Sequence, residues 1–324
     1  MKKTLRVATV AVAFLALILS ACAPEPEPIT VIGTSGPSWI LHFARDQRYF
    51  AANGLNVTVV DSYSGGAAVL DALTREEGDI AVLAEYPFVA FALRGASIKV
   101  IANINKAVTV SVVCRKDRGI EVPGDLKGKR VGLIRQAITE FYLGRYLDLN
   151  GLRISDVTLV NVANAQALGA LQRGEVDAVV TIEPFVTQIQ QQLAANAVVW
   201  SVQSSQPAFQ IAVARNDWID RHPETAKRFL KAIDEADSFL ASRPDEARTI
   251  LEKSGLDSAS VSALLRDNQF SVSLDPSLLT ALNDEARWMI DNGLTNQKVV
   301  PDFMEYIYVD GLKAVRPEAV NLIR

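Results

Sequence analysis

The sequence predicts an α/β protein built from two similar lobes. Its 324 residues exceed the usual length of one domain, and 49% of them are hydrophobic, which is enough for sizeable cores. From residue 29 to about residue 214, short β-branched runs alternate with longer runs of helical periodicity. Such alternation is typical of parallel sheets with helices on both faces. A repeated segment, described below, indicates that the unit occurs twice.

The spacing of apolar residues predicts the individual elements. In the first half we expect strands at 29–32, 56–60, 79–83, 98–101 and 108–112, and helices at 38–52, 67–73 and 87–93. In the second half we expect strands at 130–134, 157–162, 177–181 and 198–202, and helices at 139–150, 165–173 and 184–195. After a last strand-like run at 209–213, the remaining chain is predicted to be almost wholly helical.

Two segments, residues 72–85 and 170–183, share one order of features. In each, Ala-Leu-x-Arg ends a helix, a buried strand follows, and a glutamate lies six positions after an aspartate. This repeat predicts a duplicated lobe. Glu85 and Glu183 are then expected at equivalent strand ends that face one crevice.

The first 28 residues predict export and attachment to a membrane. Residues 1–21 combine a positive start, a short apolar run and small residues at the end, which is the layout of a secretory signal. The apolar run is shorter than the ~20 residues that cross a bilayer. Residues 19–22 (LSAC) resemble the bacterial lipobox, in which cleavage leaves a cysteine that carries a diacylglycerol, here Cys22. Residues 22–28, rich in proline and glutamate, are predicted to form a stiff, lipid-anchored tether.

The composition argues against several classes of function. A net charge of -4 gives no support for nucleic-acid binding, which usually shows a basic patch. The histidines, His42 and His222, lie in separate helical regions, so we expect no metal site, and no cofactor is expected. After Cys22 only Cys114 remains, which leaves no disulfide within the folded body. We expect Cys114 to be a small buried residue.

Several segments resemble the solute-binding proteins of ABC importers for nitrate, sulfonates, taurine and thiamine pyrimidine precursors. The matching segments are 50–57 (FAANGLNV), 78–82 (GDIAV), 124–132 (GDLKGKRVG), 174–178 (GEVDA) and 183–184 (EP). The likeness covers residues 29–214. It implies a periplasmic-binding-protein-like fold of type II, in which two α/β lobes joined by two crossing segments enclose a ligand cleft.

The resemblance also implies a domain layout and partners. Lobe I would comprise residues 29–107 plus 217–324, and lobe II residues 108–216, with crossings near 108–116 and 207–216. The protein would be a monomeric extracytoplasmic receptor, periplasmic or on the outer cell surface, held to the membrane through Cys22. Its partners would be a small-molecule ligand and the permease of an ABC importer, to which lobe closure delivers that ligand.

In open α/β sheets, ligands bind beyond the carboxyl ends of the strands, and this rule selects the candidate residues. Glycines there let the backbone approach a ligand, helix starts add positive charge, and aromatic rings can stack on it. The candidate ligand-binding residues are Ser35, Trp39, Tyr63, Ser64, Gly65, Gly66, Glu85, Tyr86, Arg135, Gln136, Thr139 and Glu183. Some of them have a purely structural alternative: Gly65 and Gly66 as a plain turn, Thr139 as a helix cap, Glu183 as a helix start and Trp39 as core.

The ligand and the activity stay open at this point. A sulfonate, nitrate or similar oxyanion would need a partner such as Arg135. An amine or an aromatic heterocycle with N–H donors suits the negative charge of Glu85 and Glu183 better. The alternative function is a secreted enzyme that uses Glu85 and Glu183 for acid–base hydrolysis.

Overall fold

The computed structural model describes residues 25–34, 38–204, 206–253 and 255–322. The predicted signal at 1–21, the lipidation residue Cys22 and the candidate ligand residue Ser35 lie outside these ranges. Within them the chain forms two sheets with helices packed around each, which confirms the predicted two-lobed α/β class. We call the six-stranded sheet with its helices lobe I, and the five-stranded sheet with its helices lobe II.

The sheet of lobe I contains β1 (Glu27–Thr34), β2 (Leu55–Tyr63), β3 (Ile80–Ala84), β4 (Ile98–Ala107), β10 (Ala208–Arg215) and β11 (Asn268–Ser273). Its strand order is β11-β4-β10-β3-β1-β2. β1 runs parallel to β2 and β3, whereas β10 is antiparallel to β3 and β4.

The sheet of lobe II contains β5 (Ser111–Arg115), β6 (Arg130–Leu133), β7 (Thr158–Asn161), β8 (Ala178–Thr181) and β9 (Ala197–Ser201), in the order β7-β6-β8-β5-β9. β6 runs parallel to β7 and β8, and β5 is antiparallel to β8 and β9. Both sheets are therefore mixed, so the parallel pairing expected from the alternation of strands and helices holds for only part of each sheet. In each sheet, one antiparallel strand directly follows a crossing from the other lobe: β10 in lobe I and β5 in lobe II.

The helices cover both sheets. In chain order they are α1 (Trp39–Asp46), α2 (Tyr49–Ala52), α3 (Gly66–Thr74), α4 (Glu85–Leu93), α5 (Ile138–Leu149), α6 (Ala167–Arg173), α7 (Phe185–Leu193), α8 (Asn216–Arg221), α9 (Pro223–Ser242), α10 (Pro244–Lys253), α11 (Ser258–Asp267), α12 (Pro276–Asp291) and α13 (Val309–Val315). Helices α5 to α7 pack on lobe II, and α9 packs against α1, α2 and α13 of lobe I. No helix among the described residues has the length and apolarity needed to cross a membrane.

The carboxy-terminal part of the chain returns to lobe I, and it is less helical than predicted. Residues Asn268–Ser273 form β11, which pairs antiparallel with β4 at the edge of the sheet. The helical part uses its apolar face as expected, because Phe229 is fully buried and stacks on Phe50 of α2 with 5.7 Å between ring centroids.

The chain crosses between the lobes twice, and both crossings are shorter than predicted. The first lies between β4 and β5, at residues 108–110, and the second between β9 and β10. The assignment of residues 108–216 to lobe II and its crossings is wrong at its end, since Ala208–Arg215 pairs within the sheet of lobe I. The tether prediction also reaches too far, because Glu27 and Pro28 are already paired in β1.

One buried side chain links the two crossings. The Gln203 Oε1 atom accepts a hydrogen bond from the Val110 backbone N–H at 2.6 Å. Its Nε2 atom donates to the Ala107 carbonyl oxygen at 2.9 Å. Gln203 is 2% exposed, so these bonds are shielded from water.

The repeated segments occupy equivalent places in the two lobes. Asp79, before β3, accepts a hydrogen bond from the Thr30 backbone N–H at 2.8 Å. Asp177, before β8, accepts one from the Arg130 backbone N–H at 3.0 Å. Each aspartate thus fixes the neighbouring parallel strand of its own sheet. The similarity in sequence therefore corresponds to a similarity in structure.

Candidate ligand site between the lobes

The two lobes meet where α5 of lobe II contacts α4 and α12 of lobe I. Gly144 lies so close to Trp288 that a β-carbon at position 144 would come within 2.3 Å of the indole ring. Nearby, the Arg145 Nη1 atom donates to Asp284 Oδ2 at 2.6 Å. Gly65 also faces lobe II, since a β-carbon there would lie 3.7 Å from a methyl group of Ile134. The loops at the strand ends of both sheets therefore meet at one place.

Two carboxyl groups are buried at this place. Glu85 is the first residue of α4, directly after β3, and Glu285 lies on α12. Both side chains are 0% exposed. None of their four carboxyl oxygens has a partner in hydrogen-bonding geometry within the described chain. The backbone N–H groups of Phe209 and Glu85 approach the Glu85 carboxyl without reaching that geometry. An unsatisfied buried polar group costs about 1–3 kcal/mol, so a fold that keeps several of them is unusual.

Burial changes the acidity of the pair. Loss of hydration raises the pKa of Glu85 to about 8. Loss of hydration, followed by the nearby Glu85 carboxyl, raises the pKa of Glu285 well above its usual value. Two adjacent carboxyls cannot both ionise easily, so at neutral pH the pair retains a proton.

A tyrosine of lobe II approaches the same carboxyls. Tyr142 on α5 is 1% exposed, and its hydroxyl has no hydrogen-bond partner among the described residues. Burial, and then the charges of Glu85 and Glu285, raise the pKa of Tyr142. The Gln203 side chain also approaches this hydroxyl, but not in hydrogen-bonding geometry. Polar atoms from both lobes thus converge on one buried point.

Aromatic rings pack beside the carboxyl pair. The Tyr86 and Phe141 ring centroids are 5.8 Å apart, and Phe141 meets Trp288 edge-on at 5.6 Å. Tyr86 is one of the predicted ligand residues and follows Glu85 directly in α4. Its ring belongs to lobe I and Phe141 to lobe II, so this aromatic cluster spans the boundary between the lobes.

The predicted loop at Arg135 is folded back onto a buried glutamate. Arg135 donates through Nε and Nη2 to the Glu140 carboxylate at 3.0 and 3.2 Å, and the Gln136 backbone N–H donates to it at 2.7 Å. Gln136 has a φ of 57°, which a non-glycine residue rarely adopts. The Thr139 hydroxyl donates to the Ile134 carbonyl at 3.2 Å. The guanidinium of Arg135 is thereby neutralised within lobe II.

Glu183 stands at the strand end equivalent to that of Glu85, but in a different environment. It is partly exposed, and its carboxylate accepts hydrogen bonds from the Thr187 backbone N–H at 3.2 Å and the Thr187 hydroxyl at 3.1 Å. These bonds satisfy a free N–H in the first turn of α7, as a helix cap does. The two glutamates of the repeat therefore differ in burial and in hydrogen bonding.

The remaining predicted residues lie around the strand ends of lobe I. Trp39 is half-buried as the first residue of α1, and Ser64 is exposed. The Tyr63 hydroxyl contacts Glu77 at 3.2 Å, in the turn that leads into β3. Gly66 allows α3 to pack on α4, because a β-carbon there would come within 2.6 Å of Pro87.

Three residues at the convergence point, Glu285, Tyr142 and Gln203, were not among the candidates from the sequence. The sequence pattern could have identified Glu285, because it falls on the apolar face of α12 together with Leu278, Leu282 and Met289. A charged residue on a buried face is rare unless it is paired or functional. In the described part of the chain, no group of three or more His, Cys, Asp or Glu residues is arranged to hold a metal ion.

Comparison with known proteins agrees with this architecture. A family model described as NMT1/THI5 like matches residues 38–247. The taurine-binding periplasmic protein of Escherichia coli (strain K12) is 24% identical over 261 residues, which cover 76% of this chain and 80% of that protein.

Two solved structures share the fold of this chain. The alkanesulfonate-binding protein SsuA from Xanthomonas axonopodis pv. citri, bound to MOPS, matches with a TM-score of 0.75 at 19% identity, covering 89% of this chain and 100% of that chain. The desulfurization enzyme DSZB matches with a TM-score of 0.62 at 15% identity, covering 90% of this chain and 99% of that chain. The predicted periplasmic-binding-protein fold is confirmed, and the same fold also occurs in an enzyme. Since the family model spans well over half of its residues, the chain belongs to the NMT1/THI5-like family.

Proposed function

We propose that this protein is an extracytoplasmic solute-binding receptor of an ABC importer, which binds a small polar molecule between its lobes and presents it to the permease. The observation that carries the proposal is the convergence of Glu85, Glu285 and Tyr142, which are buried without hydrogen-bond partners among the described residues. Lobe I supplies two of these side chains and lobe II the third. A site divided in this way is completed only when the lobes close, by a hinge motion at the crossings.

The relatives support the same function. The taurine-binding periplasmic protein and SsuA are both binding proteins by name, and both match most of this chain. The lipobox-like residues 19–22 support anchoring through Cys22 on the extracytoplasmic side. We further propose that the folded body acts as a monomer. If that anchor exists, Cys22→Ser abolishes the uptake of labelled fatty acid. Persistent labelling of the variant would refute lipidation at Cys22.

The alternative, acid–base hydrolysis by Glu85 and Glu183, receives less support. Such a mechanism needs two carboxyls that flank one bond at a defined separation. Glu85 instead lies against Glu285, and Glu183 is hydrogen-bonded to Thr187. We therefore favour a receptor without turnover.

The test combines binding, shape and ligand recovery. We expect a small molecule to bind the soluble body with a stoichiometry of one, and X-ray scattering to give a smaller radius of gyration for the complex. Mass spectrometry of the released ligand should show an unchanged compound. Recovery of an altered compound would favour the enzyme, and binding without any change in radius would contradict lobe closure.

A further inference from the structure

The site between the lobes presents far more hydrogen-bond acceptors than donors. The Glu85 and Glu285 carboxyls contribute four oxygens without partners in the described chain.

A proton shared by the two carboxyls does not satisfy these acceptors. One proton lets one carboxyl donate to the other, which accounts for two of the four oxygens. The Tyr142 hydroxyl supplies one further donor, yet it forms no hydrogen bond in the structure. The backbone N–H groups of Phe209 and Glu85 approach the Glu85 carboxyl, but not in hydrogen-bonding geometry. We therefore expect donors from outside the chain to complete the site.

The cations near the site are already engaged. Arg135 is bound in a two-point contact by Glu140, and Arg145 is bound by Asp284. These two arginines are the ones whose charge reaches Tyr86 and Tyr142. An anionic group placed at the carboxyl pair would thus meet two acids and no unpaired arginine among the described neighbours. Repulsion between like charges in a water-poor site disfavours such a ligand.

The surrounding rings favour a positive group. Tyr86, Phe141 and Trp288 pack next to the carboxyls and present aromatic faces and edges from both lobes. A cation is attracted to an aromatic face, and this attraction is stronger where water is excluded. Buried carboxylates and aromatic rings together are the chemistry that recognises ammonium and amidinium groups.

We infer that the Glu85–Glu285 pair selects a ligand carrying a protonated, N–H-rich group, such as an ammonium, an amidinium or an aminated heterocycle, and that an anion alone does not satisfy the site. This inference rests on the proposed receptor function and specifies its ligand class. Such a group would take the place of the proton that the ligand-free pair retains, and its charge-assisted hydrogen bonds to both carboxylates would satisfy acceptors that the chain leaves open.

The first experiment uses ligands that differ in one group. Taurine and ethanesulfonate share a sulfonate, but only taurine has an ammonium group, while agmatine and 4-aminopyrimidine carry N–H donors without a sulfonate. We expect calorimetry to show binding of at least one compound that carries an ammonium group or N–H donors. Ethanesulfonate and nitrate should bind at least tenfold more weakly than that compound. Ethanesulfonate binding as tightly as taurine, with closure, would overturn the ligand class but leave the receptor function standing. Absence of binding by every compound would count against both.

The second experiment removes each charge with little change in size. Glu85→Gln and Glu285→Gln should each weaken the ligand with the N–H-rich group about tenfold or more, because a charge-assisted hydrogen bond becomes a neutral one. Glu175→Gln is the control, since Glu175 precedes β8 at the end of the strand away from the site and is paired with Arg173. Its affinity should be unchanged. Circular dichroism verifies that each variant is folded, and equal affinities in all three variants would refute the inference.

Discussion

We expect the proposed closure of the lobes to require a glycine at position 144. Gly144→Ala would place a β-carbon 2.3 Å from Cζ2 and 2.9 Å from Cε2 of the Trp288 ring, far inside van der Waals contact. Because Gly144 belongs to α5 of lobe II and Trp288 to α12 of lobe I, the clash exists only while the lobes are together. Overpacking of this kind costs about 1–3 kcal/mol. We therefore expect ligand affinity to fall roughly five- to 150-fold.

The thermal stability of Gly144→Ala should not fall together with its ligand affinity. Glycine inside a helix is less favourable than alanine by roughly 0.5–1 kcal/mol, so Gly144→Ala should leave the melting temperature of the ligand-free protein unchanged or higher. Gly132→Ala is the control: a β-carbon there would be 3.1 Å from Val162 within lobe II. That variant should lose stability and keep its affinity. Calorimetry and thermal unfolding on both variants separate the cases, and a less stable Gly144→Ala with normal affinity would mean that the lobes are permanently packed.

Two further predictions concern the glutamates. Glu183→Ala should lower the free energy of unfolding by about 1 kcal/mol in urea, because Thr187 in the first turn of α7 loses its hydrogen bonds to the Glu183 carboxylate. Glu183→Gln, which keeps an acceptor, should lower it less. Since burial raises the pKa of Glu85 to about 8, its protonated form is favoured by folding. The contribution of protonated Glu85 to the free energy of unfolding should be complete below pH 4.5, the usual pKa of this carboxyl. This contribution, up to a few kcal/mol, should be lost as the pH rises through 8. Urea unfolding of the ligand-free protein between pH 5 and 9 should therefore show a steeper decline than Glu85→Gln, and identical slopes would contradict the buried pair with Glu285 and Tyr142.

The sequence predicted the lobes well because local patterns determine them. Strands such as Ile80–Ala84 and Ala178–Thr181 are uninterrupted apolar runs after an aspartate, and both are buried in the structure. The repeat also located Glu85 correctly at a strand end. It could not show that Glu85 and Glu183 differ, because burial depends on helices that lie elsewhere in the chain.

The residues that complete the site come from segments that are distant in sequence. The apolar pattern of a single helix or strand does not show that such segments meet. Glu285 reaches Glu85 only because α12 returns to lobe I, and Tyr142 reaches both only because α5 crosses the boundary between the lobes. The strand Asn268–Ser273 was missed for a related reason. Its sequence, NQFSVS, has little apolar content, and it becomes the edge strand of the sheet by pairing with β4.

The position of Gln203 determines how motion would be transmitted. Its amide joins the crossings at Val110 and Ala107, and its side chain lies beside Tyr142 at the site. In the proposed closure, a rotation axis through this point would pass close to the ligand site. The displacement would then be small at the site and large at the outer surfaces of both lobes. Those outer surfaces are the ones that the proposed permease partner would contact.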